Sequence, residues 1–168
     1  MSIPKPLKPL TTFIKRAEEL DKGDAGDEEK TLRAKVVAYY CRTFAMELGM
    51  KASDGSGECT TFLGGLMDQL EQGRKSMPDF TEEDGKSICT EFALDVFGKA
   101  DEEDRAGFAD KGTARTFYAA GAFLEILQQF GELDEDMAAK KKYCKWKAAD
   151  LLKAFKEGRQ PTPGAPGE

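Results

Sequence analysis

The sequence predicts an all-α fold that contains two consecutive three-helix bundles. Apolar residues recur at intervals of three and four through most of the chain, which is the pattern of one buried face on a helix. Sustained alternation of polar and apolar residues, the pattern of a half-buried strand, does not occur in the sequence. Pro78 interrupts the helical pattern near its middle and leaves three periodic segments on either side.

Six helices follow from the periodic segments and from the breaks between them. The first break, residues 20–30, is rich in Asp, Gly and Glu, and the turn at residues 53–57 is rich in Ser and Gly. Thr81, with Asp84 three residues later, has the pattern of a capping box at the start of the fourth helix. The predicted helices cover residues 11–20, 33–52, 57–76, 81–100, 108–130 and 136–157.

The two ends of the chain differ in composition from the region between them. Three prolines fall within the first ten residues, and the last eight residues are a Pro/Gly tract without helical periodicity. Both ends are expected to be poorly ordered, and the second has the composition of a flexible linker. The predicted organisation is a flexible N-terminus at 1–10, a first module at 11–77, a second module at 78–158 and the start of a Pro/Gly-rich linker at 159–168.

Composition and charge restrict the function of the chain. Of its 168 residues, 40% are hydrophobic and 33% are charged, as in an ordinary soluble protein. The formal net charge of −6 argues against direct binding to nucleic acid or anionic lipid, although the patch Lys140–Lys142 leaves a local basic surface open. No stretch approaches the roughly 18 consecutive apolar residues of a membrane-spanning helix, so we expect a cytoplasmic protein without direct membrane insertion.

Catalysis and metal binding find little support in the sequence, and we expect neither an enzyme nor a cofactor. The chain has no histidine, the commonest general base and the commonest neutral metal ligand. Its four cysteines lie far apart without a C-x-x-C pair and are predicted to be reduced core residues. A calcium loop from Asp21 fails because Gly23, Ala25 and Leu32 offer no side-chain oxygen at ligand positions. The acidic run Asp101–Asp104 is interpreted as a charged link between helices.

The third helix carries an apolar arc that is wider than one packing seam requires. At about 100° per residue its apolar residues span about 140°. Two interpretations stay open: the whole arc belongs to the core, or Leu63, Met67 and Leu70 border a groove for a partner. In the second case, Asp68 and Glu71 are placed to pair with basic residues of an incoming peptide.

The fifth and sixth helices also carry apolar residues that either belong to the core or contact a partner. Tyr118, Phe123 and Ile126 lie well off the main stripe of the fifth helix, which is therefore central in its bundle or covered by a partner. Trp146, the only tryptophan, lies almost opposite the apolar stripe of the sixth helix, to which Leu152 belongs. It either packs against the first bundle or offers an exposed anchor. The candidate partner contacts of the second module are Tyr118, Phe123, Ile126 and Trp146.

Several runs of residues resemble the N-terminal domain of the LYST-interacting protein five family, whose members are cofactors of the vacuolar-protein-sorting AAA ATPase. The most specific are Val36–Arg42, with the sequence VVAYYCR, and Leu66–Leu70, with the sequence LMDQL. The resemblance continues through Asp104–Gly107, Phe130–Leu133 and Tyr143–Lys147. It covers nearly all of the chain between the two predicted flexible ends.

The resemblance implies a tandem of two MIT (microtubule-interacting and trafficking) three-helix modules. In this family the first module takes a C-terminal helix of ESCRT-III subunits into the groove between its second and third helices. Met67 and Leu70 match the groove positions, and Leu63 and Asp68 are neighbours inferred from spacing. The second module is expected to be wrapped by a different ESCRT-III-like subunit through leucine-rich contacts.

The expected role is therefore that of an adaptor in multivesicular body formation, recruited peripherally to endosomal membranes. In the family a separate C-terminal domain binds the AAA ATPase and stimulates it. The sequence shows no counterpart of that domain, so we expect this chain to recognise filament subunits without stimulating ATP hydrolysis by itself.

Other classes of function stay open from the residues alone. One is a structural helical scaffold that self-associates through the same apolar faces; another is a carboxylate-based metal site at Asp101–Asp104, which requires metal-linked stabilisation. Two local features also lack an explanation. The acidic loop from about Gly23 to Lys30 is longer than we expect in animal relatives, and Gly64 and Gly65 cost the third helix about 1 kcal/mol each, which implies close helix approach or a looser helix.

Overall fold

The computed structural model describes residues 2–24 and 26–167, and the secondary structure of this part of the chain is helical without a β-strand. The α-helices are α1 (Thr11–Asp21), α2 (Glu28–Ala52), α3 (Gly57–Lys75), α4 (Glu82–Arg105), α5 (Lys111–Glu125) and α6 (Glu135–Lys156). Two 3-10 helices accompany them, Lys5–Leu10 and Ile126–Phe130. The predicted all-α fold is confirmed. None of the helices described combines the length and the apolar character that crossing a bilayer requires.

The chain divides into two compact units, Met1–Cys89 and Thr90–Glu168, whose boundary lies within α4. This boundary differs from the predicted division at Pro78 because the start of α4 packs inside the first unit. A Cβ atom added to Gly85 would overlap the ring of Tyr40 on α2, so only glycine permits this close approach.

The first unit packs the apolar stripes of α1, α2 and α3 together. The rings of Phe13 and Phe44 meet edge to face, with centroids 5.0 Å apart. Helices α2 and α3 approach closely at Gly49, where an added Cβ would lie 2.5 Å from Leu63 Cδ2. No such approach occurs at Gly64, because no atom of another helix lies within 4 Å of its Cβ position.

The N-terminal residues are more ordered than predicted. In place of a flexible segment at 1–10, Lys5–Leu10 forms a 3-10 helix in which Leu7 and Leu10 are completely buried. Proline fits the first helical turn because the N–H group that it lacks has no partner there. The two buried leucines offset the entropy lost by ordering the segment, so the prediction of a flexible terminus is wrong for Lys5–Leu10.

The acidic loop is shorter than predicted because α2 begins at Glu28 and not near residue 33. Asp27 caps the helix by accepting a hydrogen bond of 3.0 Å from the backbone N–H of Lys30. The acidic residues that suggested a mobile loop instead lie at the positive end of the helix dipole, where negative charge is stabilising. Ala25, also part of the predicted loop, lies outside the described residues.

The second unit packs the later turns of α4 with α5 and α6. Phe97, Phe117 and Tyr143 form a cluster of aromatic rings with centroid separations of 6.0 to 6.2 Å. Gly121 allows α5 and α6 to approach, since an added Cβ would lie 3.3 Å from Cβ of Cys144.

The predicted helix at residues 108–130 consists of two elements. Asp110 and Thr113 form a capping box that starts α5 at Lys111. After Glu125 the helix tightens into the 3-10 turn Ile126–Phe130, which ends at a glycine with a φ of 132°.

Helix α4 extends to Arg105, so the acidic run Asp101–Asp104 forms its last turn and is not the link predicted from the sequence. Asp104 is 1% exposed and makes an ion pair of 3.0 Å with Lys147 of α6, which is 0% exposed. Two buried opposite charges therefore join the end of α4 to the middle of α6.

The same ion pair holds the C-terminal segment. The ammonium group of Lys147 donates hydrogen bonds to the carbonyl oxygens of Thr162 (2.8 Å) and Gly164 (2.9 Å). The backbone N–H of Gly164 donates to the Asp104 carboxylate at 2.9 Å. The prediction of a poorly ordered linker at 159–168 is therefore wrong for the residues around Thr162 and Gly164, because buried charges bind their backbone.

Candidate docking surfaces

Helix α3 divides its apolar residues between a buried face and an exposed methionine. Ser56 caps the helix by accepting a hydrogen bond from the N–H of Cys59 at 3.2 Å. Leu63, Leu66 and Leu70 are between 3% and 9% exposed, whereas Met67 is 41% exposed. Most of the wide arc is therefore core, and Met67 is its exposed member.

The residues predicted to bind a partner in the first unit differ in accessibility. Met67, Asp68 and Glu71 are exposed on the outer side of α3. Leu63 does not fit the predicted role, because it fills the space beside a glycine of α2 and belongs to the core. Leu70 is 8% exposed and lines a narrow cleft, so it reaches the surface only at that edge.

Two adjoining clefts run between α2 and α3, and we call them together the α2–α3 groove. Their cavity volumes are about 100 and about 330 Å³, and both are bordered by Asp21, Arg42 and Gln69. The guanidinium of Arg42 donates two hydrogen bonds to the Asp21 carboxylate, one of them 3.1 Å long. The remaining lining residues are Lys35, Tyr39, Asp68, Leu70, Gly73, Gln72, Ser76 and Met77.

Opposite charges border the two sides of this groove. Lys35 contributes positive charge on α2, where the charge of Arg42 is already paired with Asp21, while Asp68 and the exposed Glu71 contribute negative charge on α3. A ligand helix with the complementary arrangement would gain attraction in one orientation and repulsion in the reverse one, which fixes its direction more than its affinity.

The second unit exposes only part of the predicted contact set. Tyr118 is 52% exposed on α5, and Trp146 is 39% exposed on α6, where its ring tilts against Tyr143 at 5.9 Å. Phe123 and Ile126 are 5% and 0% exposed, so the prediction that they contact a partner is wrong. The nearly all-round apolar pattern of α5 reflects burial within its own unit, where Phe123 packs edge-on against a phenylalanine of α4.

Two exposed apolar residues of the second unit were missed. Leu152 was placed on the buried stripe of the sixth helix, yet it is 50% exposed, and Phe108 is 78% exposed between α4 and α5. Leu151 and Leu152 are adjacent, so periodicity alone does not decide which of them faces the core. Phe108 was assigned to a helix that begins only at Lys111, and this boundary error concealed its position.

The residues that suggested metal or redox chemistry have structural roles. Within the described part of the chain, no group of three or more His, Cys, Asp or Glu residues is arranged to hold a metal ion. The four cysteines are buried free thiols. Burial raises the pKa of Cys89 and of Cys144 to about 12, and it raises the pKa of Cys41 further still. These thiols stay protonated and poorly nucleophilic at neutral pH.

The acidic run at the end of α4 is held by intramolecular bonds. The Asp101 carboxylate accepts two hydrogen bonds of 3.0 Å from Nε of Arg105, and the Glu103 carboxylate accepts one of 2.7 Å from the hydroxyl of Thr113. Asp104 forms the buried ion pair with Lys147, so three of the four acids of this run have intramolecular partners.

Comparison with known proteins agrees with the fold and the sequence resemblance. The family model described as "Vta1 like" matches residues 9–157. An Arabidopsis thaliana protein named as the homologue of mammalian LYST-interacting protein 5 is 47% identical over 164 residues, which are 96% of this chain and 36% of that protein. The human vacuolar protein sorting-associated protein VTA1 homolog is 37% identical over 169 residues, 98% of this chain and 52% of its own length.

The chain thus spans about a third to a half of these curated relatives. Among solved structures, the N-terminal domain of Vta1 from S. cerevisiae superposes with a TM-score of 0.73 at 19% identity, over 90% of this chain and 99% of that one. The NMR structure of the Vta1–Vps60 complex gives 0.71 at 17% identity, over 89% and 98%. At these identities the two structures support the fold alone. The matched family model and the relatives together show that this chain belongs to the Vta1-like family.

Proposed function

We propose that this chain is a non-catalytic adaptor domain that binds ESCRT-III subunits through their helical C-terminal segments. Its relatives are named for vacuolar protein sorting, and none of the names reported above denotes a catalytic activity. A protein of the same fold has been solved in complex with Vps60. In the proposed role the chain acts in the cytoplasm at endosomal membranes during multivesicular body formation, and a further domain of the longer protein contacts the AAA ATPase.

The proposal for the first unit rests on the exposure of Met67. It is the exposed member of the apolar arc of α3, and two acidic residues lie beside it. Methionine adapts its shape to different apolar partners because its side chain is flexible and polarisable. A ligand helix that lays its apolar face along α3 and the α2–α3 groove would cover the exposed part of this side chain.

In this proposal, charges on the two sides of the groove determine the direction and position of the ligand helix. Lys35 on the α2 side of the groove favours an acidic residue along one edge of the ligand helix, and the acidic side on α3 favours basic residues along the other. Such rim charges are solvent-exposed, so each contributes little affinity and is weakened by salt. Binding of one helix is therefore weak, and two occupied units raise the avidity.

In the second unit, Tyr118 and Trp146 are the proposed anchors for a different ESCRT-III-like subunit. Both residues are exposed and combine an apolar ring with a polar group. Tyrosine and tryptophan are enriched among the residues that contribute most of the binding energy in protein interfaces. The exposed Leu152 joins them as a third candidate, in place of the buried Phe123 and Ile126.

The test is fluorescence anisotropy with a labelled C-terminal ESCRT-III helix and the variant Met67→Asp. Burying the exposed part of a methionine is worth about 1 kcal/mol, and a carboxylate in its place is desolvated at greater cost, so we expect at least about tenfold weaker binding. Met50→Asp is the matched control, because it makes the same change at an exposed methionine (68%) that lies on α2 and not on α3, the helix that carries Met67. Circular dichroism verifies that both variants are folded. Equal affinity of the two variants would refute the assignment of the site to α3.

A structural scaffold that self-associates through its apolar surface is the competing function. In the second unit, the exposed apolar residues available for such self-association include Phe108, Tyr118 and Leu152. Sedimentation velocity over a range of concentrations separates the two functions. A monomer that binds the labelled helix supports the adaptor, and a concentration-dependent dimer that binds no helix supports the scaffold.

A further inference from the structure

Lysines gather along one exposed side of α6. Lys141, Lys142, Lys145, Lys153 and Lys156 follow one another at intervals of one, three or eight residues, which places them on the same side of the helix. We call these five residues the lysine face. All of them are exposed except Lys141, which is half-buried. The first and last are fifteen positions apart, so the face is about 23 Å long at 1.5 Å per residue.

The positive charge of this face exceeds the negative charge beside it. Three nearby acids are paired with other residues: Asp136 with Lys140 at 2.7 Å, and Asp150 and Glu157 with Arg159 at 3.9 and 3.0 Å. Glu132 borders one cleft together with three of the lysines and offsets part of their charge. By contrast, the structure gives no member of the lysine face an ion pair with a described carboxylate. The net charge of −6 therefore conceals a local cationic surface.

Apolar side chains interrupt and flank the lysine face. Leu152 lies between its members and is 50% exposed, while Trp146 lies at its edge and is 39% exposed. A tryptophan ring, apolar with one polar N–H, suits the boundary between lipid headgroups and acyl chains. Lysines together with a leucine and a tryptophan on one helix face form the pattern of helices that lie on a membrane surface.

We propose that the lysine face binds peripherally to an anionic lipid bilayer. An extended row of like charges on the convex side of a single helix complements a uniformly negative plane, whereas an acidic peptide requires carboxylates at matching positions. Lys141, Lys142 and Lys145 also border a cleft with Gln128, Glu132 and Leu133, where three ammonium groups and one carboxylate leave a net positive charge for an anionic headgroup. Acidic groups elsewhere on the protein are screened beyond about 10 Å at 0.1 M salt and do not cancel this attraction.

Lipid attachment is independent of helix docking on the first unit. It shares Trp146 and Leu152 with the docking proposed for the second unit, so a bilayer and that partner would compete for these two side chains. The net charge argued against lipid binding, but the sequence left a local basic surface open at Lys140–Lys142; the lysine face contains two of these three residues, and Lys140 is paired with Asp136. The proposed contact is surface attachment, in which lysines stay hydrated at the headgroups and only two side chains enter the interface.

The test is co-sedimentation of the full chain with vesicles of phosphatidylcholine mixed with phosphatidylserine, with Trp146 emission as a second readout. We expect binding to the mixed vesicles, no binding to phosphatidylcholine alone, loss of binding as salt rises, and a blue shift of the Trp146 emission on binding. The triple variant Lys142→Glu, Lys145→Glu, Lys153→Glu should partition at least about 100-fold more weakly, since each lysine near an anionic surface contributes about fivefold.

A matched triple variant distinguishes the contribution of the lysine face to vesicle binding from the effect of net charge alone. Lys51→Glu, Lys75→Glu, Lys99→Glu makes the same change in net charge at exposed positions outside α6, and it should retain most of the binding. Circular dichroism verifies folding of both. Equal losses in the two variants, or no binding by the wild-type chain, would overturn the proposal. So would a soluble acidic peptide that binds the lysine face when mixed vesicles do not. Met67→Asp should leave vesicle binding unchanged, so failure here is distinguishable from failure of helix docking.

Discussion

Replacing Lys147 by Met tests how much the buried ion pair contributes to the stability of the second unit. The substitution removes the ammonium group that lies 3.0 Å from the Asp104 carboxylate. It also removes the donor to the carbonyl oxygens of Thr162 and Gly164. Because Asp104 is 1% exposed, its carboxylate stays buried without a counter-charge. The only hydrogen bond that remains described for it comes from the N–H of Gly164.

The expected destabilisation follows from these contacts. Removing one partner of a buried ion pair typically costs about 3–5 kcal/mol, because the other charge is left uncompensated. The remaining N–H donor stabilises the carboxylate in part, so we expect the lower end of that range, about 3 kcal/mol. With a urea m value of roughly 1–3 kcal/mol/M, the unfolding midpoint falls by about 1 M or more.

The assay is urea unfolding followed by the fluorescence of Trp146, the only tryptophan, which reports on the second unit. Lys145→Met is the control: it removes an exposed lysine from the same helix and should change stability by less than about 0.5 kcal/mol. The double variant Asp104→Leu, Lys147→Met should recover part of the loss, because it leaves no buried charge. If Lys147→Met and Lys145→Met unfold at the same urea concentration, the ion pair does not stabilise the fold and the reasoning is refuted.

Two further predictions concern helix contacts and buried thiols. Gly64→Ala should raise the free energy of unfolding by up to about 1 kcal/mol, since its Cβ meets open space on a helix. Gly85→Ala should lower the free energy of unfolding by about 1–3 kcal/mol, because its Cβ overlaps Tyr40. Thermal unfolding measures both changes, and changes of the same sign would contradict the packing. Burial raises the pKa of Cys89 and Cys144 to about 12, so the stability that these thiols contribute is fully present below the unfolded-state pKa of about 9 and is lost as pH rises from there towards about 12. Urea midpoints measured between about pH 8 and pH 11 should fall more for the wild type than for the double variant Cys89→Ala, Cys144→Ala, and parallel curves would contradict this.

Local signals in the sequence predicted most of the helices well. The prediction for the third helix ended within one residue of Lys75, because Ser56 and the Ser/Gly turn define its start and Pro78 limits its end. The start of α2 was missed because Asp and Glu residues near Asp27 have the composition of a loop. Such residues are equally typical of a capped first turn, and only the N-cap geometry decides between the two.

Features that depend on distant residues were not predictable in the same way. Asp104 and Lys147 are far apart in sequence, and each alone has the character of a surface charge. Their pairing, and the order that it gives to the segment around Gly164, arises only when α4 and α6 are packed together. Likewise, the angular width of the α3 arc did not reveal that Met67 faces outward, since that depends on how closely its neighbours approach α2.

The contact at Gly49 sets the spacing of the α2–α3 pair. It lies near the connecting turn, where a missing side chain lets the two helices touch. The clefts occur farther along the pair, beside Arg42 and Tyr39. A methyl group added at Gly49 would overlap Leu63 and push α3 away from α2. The width of the clefts therefore depends on a buried glycine that lines neither of them, and a substitution in the core can alter a surface that it does not touch.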